Sequence, residues 1–200
     1  NSFEEDFSTR YGKPSYGFDC GVHGFQGKSA LFVFVEECIG TAESLRLRDV
    51  SSKRVSSFAE QLDRFQLRDK KVFVKMDIEG GEYEAFKGIL QNQTNVTGFV
   101  FELHFHHDIL EINQAIKLLS DLRKEFVLLH VHIVNFDYPH SAQQSKNAVG
   151  QFQKVLELTY INQSLINAFE ISTNQRYPTE IDVPNDPQRK NPEFEPLMID

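Results

Sequence analysis

Several features that would direct a first reading are scarce or missing. No apolar run in the 200 residues approaches the roughly 18 that a bilayer-crossing helix needs, so no membrane association is expected. There are only two cysteines, Cys20 and Cys38, and they lack C-x-x-C spacing. Neither a disulfide framework nor a structural zinc site is therefore expected. The opening Asn1-Ser2-Phe3-Glu4-Glu5-Asp6 is acidic where a signal peptide would be basic. Together these absences predict a cytoplasmic protein with reduced thiols. Three glycosylation triplets begin at Asn92, Asn95 and Asn162; so short a pattern arises by chance and carries little weight without a secretory signal. Positive charge is also short: 21 Lys and Arg face 29 Asp and Glu, for a net charge of −8 and a pI near 5.4. That balance excludes a nucleic-acid partner on electrostatic grounds. The acids are spread along the chain and serve solubility first.

What is present is ordinary globular composition, 40% hydrophobic and 25% charged, in which strand-like runs alternate with helical stretches. This alternation is the mark of an α/β fold. Ser2 to Phe7 begins like a capped helix with acids in its first turn. Tyr16 to Asp19 is a short strand candidate, and the apolar run Ala30 to Val35 predicts a strand buried on both faces. Phe58, Leu62 and Phe65 fall at helical spacing within a helix over 55–65. Val72 to Asp77 is the clearest strand, followed by a helix carrying Tyr83, Phe86 and Leu90. Phe99 to Phe105 is the next strand. A long helix over 109–126 has Ile112, Ile116, Leu119 and Leu122 on its stripe. Two more strands follow, Val127 to Val134 and Val155 to Tyr160, with a polar loop around Ser141 to Gln153 between them. Pro178, Pro184, Pro187, Pro192 and Pro196 predict an extended strap over 177–200, packed on a single domain spanning 1–176.

Strand–helix alternation requires right-handed crossovers and a largely parallel sheet, and such sheets bind ligands at the carboxyl ends of their strands. Three strand ends carry suitable groups. Asp19 can accept the hydroxyls of a nucleoside ribose, or can simply form a turn. Asp77 leads into Glu79, Gly80, Gly81 and Glu82, where paired glycines let backbone approach a ligand. Two acids of one parity there are unfavourable unless solvated, paired or bound to a cation. The plainer reading is that Glu79 or Glu82 favours the next helix's N-terminus. In Phe101-Glu102-Leu103-His104-Phe105-His106-His107, the residues Glu102, His104 and His106 face one way. His130 and His132 share a face further on, with Asn135 beyond. Imidazole and carboxylate suit first-row divalent ions, yet the spacing matches no ligand motif. Hydrogen-bonded or proton-carrying histidines are the expectation, with no metal.

At Val72-Phe73-Val74-Lys75-Met76-Asp77-Ile78-Glu79-Gly80-Gly81-Glu82-Tyr83 the sequence resembles the lysine–hydrophobic–Asp–hydrophobic–Glu–Gly–x–Glu signature of the FkbM family of S-adenosylmethionine-dependent methyltransferases. Other segments resemble the family in its order. Tyr16-Gly17-Phe18-Asp19 is similar to its second strand, and Cys38-Ile39-Gly40-Thr41 to the turn against the adenine. Arg54-Val55-Ser56-Ser57-Phe58 is similar to the start of the following helix, Phe101-Glu102-Leu103-His104 to the fifth strand, His130 to Asn135 to the sixth, and Leu156 to Tyr160 to an antiparallel last strand.

The resemblance implies a Rossmann-like, doubly wound, mostly parallel sheet with an antiparallel last strand. It implies S-adenosylmethionine as cofactor, held by Asp19, Cys38, Ile39, Gly40, Asp77 and Glu79. Methyl transfer to a hydroxyl of a sugar or secondary metabolite would follow, with Asp77 or His104 as base and Glu102, His132 and Asn135 at a small-molecule or glycan acceptor. The family's first strand and glycine-rich turn are not matched, and a strand upstream of Asn1 is expected to supply them. The contrasting readings are an inactive, cofactor-free interaction module on the same scaffold, and a methyltransferase that also holds a divalent cation at Asp77, Glu102 or His104. Neither the acceptor nor the oligomeric state is legible.

Overall fold

A computed structural model describes residues 3–40, 54–104, 109–135, 155–167, 178–184, 187, 188 and 190. Thr41, Phe105, His106, His107, the loop over 141–153, and Pro192 and Pro196 lie outside the described residues. In chain order the elements are α1 (Phe3–Tyr11), β1 (Ser15–Phe18), β2 (Phe32–Val35), β3 (Cys38–Ile39), β4 (Val55–Ser56), α2 (Phe58–Arg64), β5 (Val72–Met76), α3 (Glu82–Gln91), β6 (Val96–His104), α4 (Ile109–Leu122), β7 (Phe126–Ile133) and β8 (Val155–Asn162).

The described strands form three ladders, and a single doubly wound sheet is not among them. β1 pairs with β2 in parallel, β3 with β4 in parallel, and the largest sheet has the order β5-β6-β8-β7. Within it β5 and β6 run parallel, while β8 lies antiparallel to both of its neighbours. The expected antiparallel last strand is therefore present. The large sheet is mixed rather than mostly parallel, because inserting β8 between β6 and β7 reverses the hydrogen-bonding sense on both sides.

Side-chain alternation along β6 fixes the two faces of this sheet. Phe99, Phe101 and Leu103 are essentially unexposed and pack with Leu158 and Tyr160 of β8, Met76 of β5 and the apolar sides of α2, α3 and α4. In α3 these are Ala85, Phe86 and Ile89; in α4, Ala115, Leu118 and Leu122. Aromatic rings set the centre, with Phe86 inclined 65° to Phe101 at a centroid distance of 4.6 Å, near the edge-to-face geometry such rings prefer. Burying each of these rings contributes roughly 1.5–3 kcal/mol. Lys75, Glu102 and His104, offset by one residue, take the opposite face.

Local signals account for the helix starts. Ser57 accepts from the Glu60 amide while the Glu60 carboxylate accepts from the Ser57 amide, a reciprocal capping box that begins α2. The helix expected over 55–65 therefore yields its first two residues to β4. Gly98 of β6 lies close against β8: a Cβ there would lie 2.5 Å from the Tyr160 carbonyl oxygen.

Two expectations about burial and one about a helix boundary are corrected. β2 is only partly covered, with Val33 41% exposed; among the described residues β1 is the one strand paired with it. Ile116 is 60% exposed; of the expected α4 stripe Leu122 is buried and Leu119 packs against the core, and Ala115 and Leu118 complete the buried side. Phe126 belongs to β7, since α4 ends at Leu122.

The cysteines also contradict the expectation of free thiols: Cys20 and Cys38 form a disulfide. The parallel register Phe18↔Val35 brings the chain leaving β1 beside the chain leaving β2, so the two Cα atoms are 4.8 Å apart. Spacing along the sequence did not reveal a pairing created by strand register.

Candidate functional site

The carboxyl end of β5 passes into a tight turn closed by the Gly81 amide donating to the Ile78 carbonyl at 3.1 Å. Glu79 (φ 53°) and Gly80 (φ 92°) both lie in left-handed backbone. Glycine adopts this readily; for glutamate it costs about 1 kcal/mol, and such strain concentrates at functional sites. The turn holds Asp77 and Glu79 at the sheet edge and starts α3 with Glu82. The strand does not continue through Ile78, so turn geometry rather than strand parity brings the two acids to one place.

From the neighbouring strand, β6 supplies Glu102 and His104 on the face away from the core. His104 is 5% exposed. Its Nε2 lies 3.9 Å from Asp77 Oδ1, 3.8 Å from Glu79 Oε2 and 3.8 Å from Glu102 Oε2. These are ion-pair separations, too long for hydrogen bonds. On the other side of the ring, Nδ1 is 3.0 Å from Glu82 Oε1. An ionised carboxylate only accepts, so Nδ1–H donates to Glu82. The Tyr83 hydroxyl donates to the His104 carbonyl at 3.0 Å, tying the end of β6 to α3. Asp77, Glu79, Glu102 and His104, predicted from two separate stretches of sequence, thus converge on one point.

Glu82 was missed as a site residue. Its place in the sequence suggests only a helix N-terminus, yet it is fully buried, accepts from the Gly80 amide at 3.1 Å, and orients the imidazole. Its Oε2 has no hydrogen-bond partner among the described residues. The Glu-Gly-Gly-Glu spacing was visible, but nothing in it said that the second acid turns inward.

Electrostatics follow from this crowding. Burial raises the pKa of Glu102, and the Asp77 and Glu157 charges raise it further against the opposing pull of His104 and Lys75. For His104, burial pushes the pKa down. The hydrogen bond to Glu82 and the charges of Glu82, Glu79 and Asp77 outweigh it and leave a net rise.

Two of the predicted acceptor residues, Glu102 and His132, lie along the same face. Cross-strand register aligns Glu102 with Glu157 and Glu157 with His132, placing Glu102 and His132 two strands apart, about 10 Å. Glu157 was not singled out, although its polar side chain between Leu156 and Leu158 marks it as facing away from the core. His132 is buried, with an Nε2 that has no partner among the described residues. Asn135, just past β7, is buried as well.

The predicted cofactor residues Asp19, Cys38, Ile39 and Gly40 form a second group. Asp19 follows β1 and is exposed; its Oδ1 accepts from the Gly21 and Val22 amides at 2.6 and 3.1 Å, which fixes the carboxylate at the strand end. The disulfide ties the adjacent Cys20 to Cys38. Cys38 therefore acts as a tether and offers no thiol to a ligand. Ile39 packs against the core, and Gly40 turns the chain at φ 147°. Beneath this group, the fully buried Glu37 pairs with Arg54 at 2.9 Å and Arg64 at 2.7 Å and accepts from Ser56 Oγ. This ion-pair set, unrecognised in the sequence, anchors the segment between β2 and β3 to α2.

No curated protein and no solved structure shows a significant match to the chain. The Methyltransferase FkbM domain matches residues 12–127, a span that begins just before β1 and ends inside β7, taking in Asp19, the disulfide and the whole Asp77–His104 cluster. On that match over more than half of its length, the chain belongs to the FkbM methyltransferase family.

Proposed function

We propose that the protein transfers a methyl group from S-adenosylmethionine to a hydroxyl of a sugar or similar small molecule. The observation that carries this reading is the convergence of Asp77, Glu79, Glu102 and His104 at the carboxyl ends of two parallel neighbouring strands, where α/β sheets bind ligands, within a methyltransferase domain.

The residues suit such a cofactor. An exposed carboxylate at the end of β1, held by two backbone amides, suits the hydroxyls of a ribose. The acids of the Asp77 turn suit a cationic ligand, because a positive sulfonium offsets their mutual repulsion. When bound, S-adenosylmethionine supplies an electrophilic methyl group on sulfur.

The protein's own groups then position the acceptor and take its proton. A hydroxyl near Asp77 and His104 would have a carboxylate and an imidazole within reach as bases. Glu82 holds the ring in one orientation through Nδ1, and an aligned nucleophile contributes much of the rate enhancement in a displacement of this kind. Glu102, Glu157 and His132 extend as a polar row along which the remainder of a hydroxyl-rich acceptor can hydrogen-bond. The disulfide fits an oxidising compartment better than a reducing one. Among the described residues no helix is long and apolar enough to cross a membrane.

Incubating the full-length protein with methyl-labelled S-adenosylmethionine and a panel of glycan and polyol acceptors tests the reading. Label transfer that falls at least 100-fold in His104→Gln supports it. Absence of transfer together with absence of cofactor binding would favour a non-catalytic interaction module.

A further inference from the structure

The cluster around His104 has a geometry that proton transfer alone does not explain. Asp77, Glu102 and His104 each offer one ligand atom, and these atoms all lie within 4.8 Å of one another. In an octahedral shell with bonds near 2.1 Å, ligand atoms are separated by about 3 Å in cis and about 4.2 Å in trans. The measured 3.9 Å from Nε2 to Asp77 and 3.8 Å to Glu102 fall between these values. The side chains are too far apart to hydrogen-bond and close enough to share an ion.

Two further observations point the same way. His104 is a 5% exposed imidazole whose Nδ1–H is committed to Glu82, so its Nε2 lone pair is aimed among three carboxylates. A carboxylate that fixes the far nitrogen of a histidine is the usual support for a metal-binding imidazole, since it selects the tautomer and strengthens the donor. Glu82 is itself fully buried and held by the Gly80 amide, so the support is rigid. Glu79 and Glu157 bring more negative charge to the same place, and carboxylates gathered this closely repel one another unless a cation compensates them.

We propose that Asp77, Glu102 and His104 form a divalent-cation site whose open positions hold the hydroxyl of the methyl acceptor. This replaces the expectation of no metal, and its functional half rests on the methyltransferase reading above. One imidazole nitrogen with two carboxylate oxygens suits manganese, iron or zinc better than calcium. A hydroxyl at an open position loses its proton more readily beside the cation. The acceptor O–H bond breaks, its oxygen forms the new bond to the methyl carbon, and the S–CH3 bond breaks with its electron pair left on sulfur as a thioether. The proton passes to water. In this arrangement His104 is a ligand rather than the base.

The test uses manganese(II) alone. Full-length protein without cofactor is titrated with MnCl2 while the sextet of the free ion is followed by electron paramagnetic resonance. One ion per chain should bind, with at least tenfold weaker binding in Glu102→Gln and His104→Ala. Asp77→Asn, at a half-exposed side chain, should give the same loss without disturbing the core. Glu82→Gln should weaken binding about 10- to 100-fold, and Asp121→Asn on α4 should leave it unchanged. No binding by the wild type, or equal binding by Asp77→Asn and Glu102→Gln, overturns the site. Manganese binding without methyl transfer to any acceptor keeps the site and removes the methyltransferase reading; methyl transfer without manganese binding does the reverse.

Discussion

His104 and Glu82 are joined across the β6–α3 junction by a 3.0 Å hydrogen bond in which both side chains are buried. The bond links strand end to helix start, and it decides which face of the imidazole is presented to Asp77, Glu79 and Glu102. Removing Glu82 therefore acts first on stability: Glu82→Ala leaves a buried Nδ1–H without an acceptor, which costs about 1–3 kcal/mol. Urea denaturation followed by circular dichroism measures it. Glu82→Gln, which keeps a carbonyl acceptor, should lose less than half as much.

The disulfide makes a separate prediction. It closes a segment with a sequence separation of 18, for which loop-closure entropy gives about 3 kcal/mol. Cys20→Ser and Cys38→Ser should each lower unfolding free energy by that order, and dithiothreitol should lower the wild type to the level of the variants. Identical denaturation midpoints with and without reductant would show that the bond constrains nothing.

Much of the large sheet was legible because each strand has one apolar face. Phe99, Phe101 and Leu103 alternate with Val100, Glu102 and His104, and that pattern alone separates core from site. The Asp77 turn was legible because two glycines follow an acid at a strand end. Three features were not. Cys20 and Cys38 meet through the register of β1 with β2, which no spacing rule contains. Glu37 looks like any surface acid until Arg54 and Arg64 close on it. Glu82 sits at a helix start, where acids are common on the outside, and only the packing of α3 against β6 turns it inward.

At Gly98 the absence of a side chain is a packing requirement. A methyl group there would meet the Tyr160 carbonyl at 2.5 Å, and that backbone belongs to the ladder joining β6 to β8. Gly98→Ala should destabilise by about 1–3 kcal/mol, and Thr97→Ala, one residue earlier, by less. Thermal unfolding of the two variants decides the order.

The 178–184 segment is pinned to β7 by Asp182, whose Oδ1 meets His130 Nε2 at 2.7 Å and whose Oδ2 accepts from the Thr179 amide and hydroxyl at 2.6 and 2.8 Å. Partial burial pushes the Asp182 pKa up, but the Thr179 amide, the His130 ring and the Thr179 hydroxyl outweigh it and hold it below the ordinary 3.8. A depressed carboxyl stabilises the docked segment fully above its unfolded pKa and loses that contribution as pH falls through the lower folded value. Hydrogen exchange of the 178–184 amides should therefore be pH-corrected constant down to about pH 4 and quicken below it. In Asp182→Asn the protection should be weaker throughout and show no such step.

The central claim is that a nucleoside cofactor is held by the carboxylate at the end of β1 while methyl transfer occurs beside Asp77 and His104. Calorimetric titration of the full-length protein with S-adenosylhomocysteine addresses it directly, comparing the wild type with Asp19→Ala and with Asp63→Asn as a surface control. The account predicts saturable heat for the wild type and the control and at least a 100-fold loss of affinity in Asp19→Ala. Undiminished binding by Asp19→Ala, or no heat from the wild type, would contradict it.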